Sequence, residues 1–456
     1  MSETRTASGT ERASSFSLDV EERGIGEALR GYVGKLRSGD PGALPAVLGL
    51  VVLAIIFSQV SDRFFTSNNI GNLPGQGAYI AIIALGLVFV LLLGEIDLSA
   101  GTAGGVCAGA AAQALNLHGL RHGIPGASAL YWALIVFMVV MAGLGIYLKS
   151  FAGPVLALLG VLITLTGLDD NVVLAIVFAV AVGAAIGILN GVLVAVVGIP
   201  SFIVTLALFL AWQGVLLFVL NSQPIGVNSH PVWFGLAHNN LSVTWSWIFT
   251  IVVTGGHLVY DVLRSVRARA KGLSHDSLQL VLLRGGIIVA VGVIITALAS
   301  QNRNTNPFKV IDGLPWALVI PVILMIACTI AISKTTWGRH LFATGGNAEA
   351  ARRAGIDVRH IRITAFTLCT AFGALGGVFL ASTTGGVQLD LGSGNILLFA
   401  VAAAVIGGTS LFGGRGKPRD AIIGALVITI IPNGIGLRPS LPPSYNSIIT
   451  GAVLLI

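Results

Sequence analysis

Charge is what this sequence most lacks. Only 10% of its 456 residues are Asp, Glu, Lys or Arg, against 55% hydrophobic residues and a mean hydropathy of +0.91, far from the averages of a water-soluble domain. The net charge of +7 therefore speaks first about orientation in a membrane, and no nucleic-acid partner is expected. Cysteine is scarce too. Cys107, Cys328 and Cys369 lie inside apolar runs without metal-type spacing, which argues against a disulfide or zinc framework. No GxxxxGK[ST] phosphate loop occurs; the Gly-rich GGTSLFGGRGKP at 407–418 lacks the spacing and the Ser or Thr that cradle a nucleotide. HExxH and GxSxG are also missing, so no catalytic residue, metal or bound cofactor is expected, and any ATP used must be hydrolysed elsewhere. The first apolar run begins only at Ala43 to Leu48, too late for a secretory signal.

What is present is a series of fourteen apolar runs between about residue 45 and Ile456. Several fall short of the roughly 20 residues that span a bilayer. The expected fold is all-α, a polytopic transmembrane helix bundle of about 10–14 spans, some of them broken or re-entrant. A polar tail over 1–43, with a helix near Glu21 to Leu36, is expected to precede a membrane domain over 44–456. The last run stops at Ile456 without a polar flank, so its helix is expected to be incomplete. The 59 glycines argue for close helix packing. Four-residue spacing in Gly101, Gly105 and Gly109, in Gly183, Gly187 and Gly191, and in Gly373 and Gly377 places glycine along single helix faces. GEIDLSAG (94–101) and GGTSLFGG (407–414) each follow an apolar run and share three of eight positions, a faint internal repeat.

With the N-terminus in the cytoplasm, 21 of the 26 Lys and Arg fall inside and five outside, as the positive-inside rule requires. This puts a basic loop at 262–284 and a second loop at 334–362 in the cytoplasm. The run RSVRARAKGL from Arg264 reads as charge that anchors a helix end near anionic lipid. Segment 221–243, with His230, Pro231, Trp233 and His238 but no Lys or Arg, reads as an external loop.

The second cytoplasmic loop contains TGGNAEAARRAGI (344–356), a short helix with both ends specified. Asn347 is placed as N-cap, Glu349 in the first turn, Arg352 and Arg353 in the last, and Gly355 where a left-handed residue ends the helix. About seven helical residues are too few to persist unsupported, since isolated helices shorter than about 12 residues are marginal in water. It is either a solvated connector or a docking helix that takes force from a partner.

Glu95 and Asp97 form the notable ionisable pair. A carboxylate at mid-membrane costs roughly 2.5–3.5 kcal/mol on insertion scales, so the pair is expected at the water interface or in a polar cavity. Asp97 or Ser99 also fits as a cap for the following helix. Proton coupling through these carboxylates is the alternative. A pathway for a polar solute would further need isolated polar or aromatic groups inside the bundle. Asn190, Thr205, Trp212, Gln213 and Asn395 are the candidates, although such a residue is more often a helix-to-helix hydrogen bond than a ligand contact.

GEIDLSAG (94–101), PSFIVTLALFL (200–210), GGNAEAARRAGI (345–356) and VIGGTSLFGG (405–414) resemble, in this order, the signatures of the ribose, galactose and xylose permease family. These are membrane subunits of bacterial ABC importers for monosaccharides, and the extra basic segment at 262–284 looks most like the D-xylose branch. The resemblance implies a homodimer of permeases in the inner membrane, two cytoplasmic ATPase domains on separate chains, and an extracytoplasmic sugar-binding protein. It also implies that Asn347 to Ile356, including Glu349, Ala350, Ala351, Arg352 and Gly355, is the coupling helix that the ATPase grips. Alternating access is then the expected mechanism. A secondary transporter driven through Glu95 and Asp97 is the rival reading, and a coupling helix is the feature such a carrier does not need.

Overall fold

The computed structural model describes residues 22–24, 26–27, 30–32, 34, 42–122, 128–273, 275–304, 310–438, 440, 442 and 444–455. Most of the N-terminal tail, including much of the helix expected near Glu21 to Leu36, lies outside them, as does Ile456. The helices are α1 (Leu44–Val60), α2 (Ser67–Leu91), α3 (Ala100–Asn116), α4 (Ser128–Tyr147), α5 (Ala152–Thr166), α6 (Val172–Val192) and α7 (Ser201–Val219). After α8 (Pro231–His238) come the long α9 (Val243–Ala270), α10 (Leu278–Ala299) and α11 (Trp316–Lys334). Then follow α12 (Thr336–Gly346), α13 (Ala348–Arg353), α14 (Val358–Thr384), α15 (Ile396–Ile406), α16 (Pro418–Gly436) and α17 (Ser444–Leu455).

Every one of the fourteen apolar runs forms a helix, but among the described residues only nine are long and apolar enough to cross a membrane. The others include α1, α5 and α15, of 17, 15 and 11 residues. At 1.5 Å per residue α15 covers roughly 17 Å of a hydrocarbon core about 30 Å thick, which fits the expectation of re-entrant pieces.

The chain divides into two compact units. One comprises 41–246 and 295–456. At its centre stands α14, buried along most of its length, with α2, α3 and α6 packed around it. Glycine sets these distances. A Cβ on Gly183 would lie 2.8 Å from Thr370 O, one on Gly187 2.5 Å from Thr367 Cα, and one on Gly191 2.6 Å from Ile363 Cα, so the four-residue glycine row of α6 is the face laid against α14. Gly373 and Gly377 of α14 meet Ala100 and Gly104 of α3 backbone to backbone. The Gly101, Gly105, Gly109 row does not face a helix throughout: its first two members meet the carbonyls of Gly392 and Leu391 in the connection to α15, while Gly105 and Gly109 both meet Leu216 of α7.

Segment 221–243 is more ordered than an external loop. A short strand, β2 (Ile225–Gly226), pairs antiparallel with β4 (Gly386–Val387). In α8 the fully buried Trp233 donates from Nε1 to Val378 O of α14 at 2.9 Å, and Ser382 Oγ donates to Trp233 O at 2.9 Å. Trp233→Phe removes one buried hydrogen bond and leaves a void, so a destabilisation of about 1–3 kcal/mol is expected. Chemical denaturation of the purified protein followed by far-ultraviolet circular dichroism checks it.

The other unit comprises 1–40 and 247–294. Within it α9 and α10 pack antiparallel, with Gly285 against Leu258 and Gly292 against Thr254. The strand β1 (Glu22–Arg23) runs parallel to β3 (His275–Asp276). The basic stretch expected as a loop is helical through Ala270, so only 271–277 connects the two helices. Arg and Ala are strong helix formers, and nothing in RSVRARA breaks a helix before Gly272, whose φ of +63° ends the turn.

Candidate functional site

The capped helix forms as its sequence predicts. Asn347, extended at φ −161° and ψ 101°, accepts on its side chain from Ala350 N at 2.9 Å. Glu349 holds Arg352 at 2.9 Å and Arg353 at 3.2 Å. Gly355 is left-handed at φ +84°, and Ile356 N returns to Ala351 O at 3.0 Å, closing the C-terminal turn. Ala351 is buried and Ala348 half-buried while Glu349, Ala350, Arg352 and Arg353 are exposed, so this six-residue helix rests on two small side chains and presents the rest outward. Asp357 then caps α14 by accepting from His360 N at 3.1 Å. His360 is half-buried and His340 exposed.

Three glycine turns join this helix to the bundle. Gly414 N donates to Leu92 O at 2.8 Å, and a Cβ on Gly413 would lie 2.7 Å from Gly345 O and 2.9 Å from Gly94 N. Gly94, Gly413 and Gly414 all have positive φ, so the close approach and the backbone conformation both require glycine. The two octapeptides read as a faint repeat therefore meet each other at their glycines.

From Gly94 the chain enters an elbow, residues 95–99, leading into α3. Glu95 pairs with Arg362 of α14 at 3.2 Å. Ile96 is tied to α7 in both directions: its N–H donates to Ser201 Oγ at 3.3 Å and its carbonyl accepts from Thr205 Oγ1 at 3.2 Å. Asp97 is fully buried. Its Oδ1 accepts from Ser99 N at 2.9 Å and Ser99 Oγ at 2.7 Å, and its Oδ2 accepts from Asn190 Nδ2 at 3.3 Å and Thr370 Oγ1 at 3.5 Å. Asp97 thus lies neither at a water interface nor in an open cavity, because donors from three elements satisfy it inside the packing. Nor does it cap α3: that helix starts at Ala100, with Ser99 in the N-cap place and no side-chain cap bond.

Of the pathway candidates, Glu95, Asp97, Asn190 and Thr205 gather at the elbow. The other three do not. Trp212 lines an apolar cavity of about 180 Å³ between α3, α4, α6 and α7, with Val106, Leu134, Phe137 and Ile186; its Nε1 is buried with no partner among the described residues. Gln213 is half-buried on α7, and Asn395 is exposed at the start of α15. Walls this apolar offer a polar solute nothing to exchange for its hydration. The residues missed by sequence reading are Arg362 and Thr370. Arg362 was hidden in a basic loop, and Thr370 lies 273 positions from Asp97 without any local signal.

Membrane-length helices with glycine-tight packing and a capped, exposed short helix are the architecture of a multi-pass membrane protein. The particular family follows from comparison. Residues 149–456 match the family described as "Branched-chain amino acid transport system / permease component", and the chain belongs to it. It is 28% identical to the xylose transport system permease protein XylH of Haemophilus influenzae over 427 residues, 92% of this chain and 96% of that one. XylH of Escherichia coli K12 is 27% identical over 90% of this chain and 89% of its own. The ribose import permease protein RbsC of the same strain is 26% identical over 90% and 91%. The resemblance carried by the four sequence motifs thus has its counterpart over nearly the whole chain. No solved structure matches.

Proposed function

We propose that this chain is the inner-membrane permease subunit of an ATP-driven importer for a monosaccharide, a pentose such as D-xylose, and that it works as a homodimer by alternating access. ATP is bound and hydrolysed by separate cytoplasmic subunits, sugar arrives on an extracytoplasmic binding protein, and this chain holds no cofactor. Its N-terminus and α13 face the cytoplasm. The observation that carries the reading is α13: a helix of six residues, capped at both ends, supported through Ala348 and Ala351 and displaying Glu349, Arg352 and Arg353. So short an exposed helix is expected to be gripped by a partner. The xylose and ribose permeases among its relatives support the sugar assignment. Ion coupling through Glu95 and Asp97 gains no support, since Glu95 is paired to Arg362 and Asp97 is held by neutral donors.

Uptake of radiolabelled D-xylose into proteoliposomes holding the permease, its ATPase and the binding protein tests this. Glu349→Lys is expected to lower ATP-dependent uptake at least about tenfold. The fold is expected to lose no more than about 1 kcal/mol, the worth of exposed ion pairs. Sugar movement by the permease alone down an imposed proton gradient would overturn the assignment.

A further inference from the structure

Beside α13 opens a cleft of about 540 Å³. Its walls carry Arg352 from α13 and Asp357, Arg359 and Arg362 from the start of α14. Its far side is Ala195, in the wide turn (Leu193–Val197) that ends α6. The charges do not balance. Asp357, the sole carboxylate of the lining, is engaged in capping α14. Arg362 gives one nitrogen to Glu95, while its Nε is buried with no partner among the described residues. Arg352 holds Glu349 in an exposed pair that water already screens. Arg359 is exposed and makes no ion pair among the described residues. Three guanidinium groups with unused donors around a concavity form a receptor for a carboxylate, which the planar fork of arginine matches in two-point geometry.

We propose that this cleft receives an acidic side chain of the ATPase subunit, so that the partner is held at two points, by α13 and by the arginine cleft. The inference rests on the coupling role assigned to α13. A partner covering that helix must also cover the cleft, because Arg352 belongs to both and Ile356, which lines the cleft, closes the helix's C-terminal turn. The second point adds something the helix alone does not. A carboxylate seated among these arginines competes with Glu95 for Arg362, and Glu95 begins the elbow that leads to Asp97 and α3. Docking is thereby felt inside the bundle.

The test is the affinity of the purified ATPase subunit for the permease in nanodiscs of neutral phosphatidylcholine, titrated against salt, for wild type, Arg359→Glu and Arg359→Lys. Arg359→Glu is expected to weaken binding about tenfold or more and to flatten the salt dependence, with Arg359→Lys falling between it and wild type. If Arg359→Glu binds as wild type does while Glu349→Lys fails to bind, the cleft proposal is overturned and the coupling role of α13 stands. A defect that arises only in discs containing phosphatidylglycerol assigns the cleft to lipid headgroups and also overturns the proposal. If the ATPase does not bind even the wild-type permease, the reading of the chain as an ABC permease falls with it.

Discussion

Gly104→Val is expected to leave little extractable, monodisperse protein. Gly104 of α3 touches Gly377 and Gly373 of α14 through their backbones, and Gly373 in turn meets Ala100 along the seam. A side chain at position 104 must run into the Gly373 carbonyl of α14, and α14 has nowhere to retreat. On another face Gly376 receives Ile83 of α2, and on a third Thr370 O lies 2.8 Å from where a Cβ of Gly183 would stand. Overpacking in a core that can relax costs about 1–3 kcal/mol; here the displacement of a central helix should reach the upper end of that range or beyond. Gly143→Ala in α4 is the control, since a Cβ there meets nothing within 4 Å. Alanine is worth about 0.8–1 kcal/mol over glycine in a helix interior, so the control should match or exceed wild type. Thermal midpoints by intrinsic fluorescence, with size-exclusion profiles after detergent extraction, compare the two directly.

The glycine rows were readable because helix periodicity is local: residues four apart share a face whatever lies opposite. What lies opposite was not readable. The rows of α6 and α14 turned out to face α14 and α3, and the row of α3 a loop backbone and a leucine side chain, all supplied from more than 100 residues away. Nor did apolarity tell inner helices from outer ones. α4 has a hydropathy of 2.3 and is 33% buried, whereas α14 has 1.8 and is 83% buried. In a bilayer, lipid tails are as apolar as leucine, so a helix facing lipid and one facing protein can share a composition. The small and hydroxylated residues of α14, from Thr364 to Thr384, are the better mark of centrality, because hydroxyls are satisfied only within the bundle or by their own helix.

The same division separates α13 from the elbow. Caps work through bonds three residues apart, so Asn347, Glu349 and Gly355 announced their geometry in thirteen consecutive letters. Asp97 announced only a carboxylate in need of partners or a helix to cap. Its burial depends on Asn190 and Thr370, 93 and 273 positions distant, and no pattern of spacing within one segment encodes those meetings. The basic run at Arg264 does stand at a helix end, with Arg267 and Arg269 in the last turn; only the start of the loop, expected at 262, shifts to 271, because a helix continues past a membrane boundary as readily as a loop begins there.

Replacing Asp97 separates structure from proton chemistry by the size of two effects. In Asp97→Ala the Ser99 N–H, the Ser99 hydroxyl and the Asn190 amide lose their acceptor in a site closed to water. Each stranded donor costs about 1–3 kcal/mol, so a loss of about 3 kcal/mol or more is expected, together with collapse of uptake. Asp97→Asn keeps the shape and the Oδ1 acceptor for Ser99. It turns Oδ2 into a donor that faces the Asn190 amide, but the Asn190 oxygen has no partner among the described residues. A flip of that amide presents its oxygen to the new donor, and the single proton of the Ser99 hydroxyl, 2.9 Å from Asn190 Nδ2, turns to that oxygen while Oδ1 keeps the Ser99 N–H. The asparagine variant should therefore fold with well under half the alanine penalty and retain ATP-driven uptake within about threefold of wild type, a difference under 1 kcal/mol. An asparagine cannot release a proton. Were the carboxylate an ion-coupling site, Asp97→Asn would fold normally and transport nothing, so uptake by a stable Asp97→Asn protein decides between a hydrogen-bonded strut and a proton carrier.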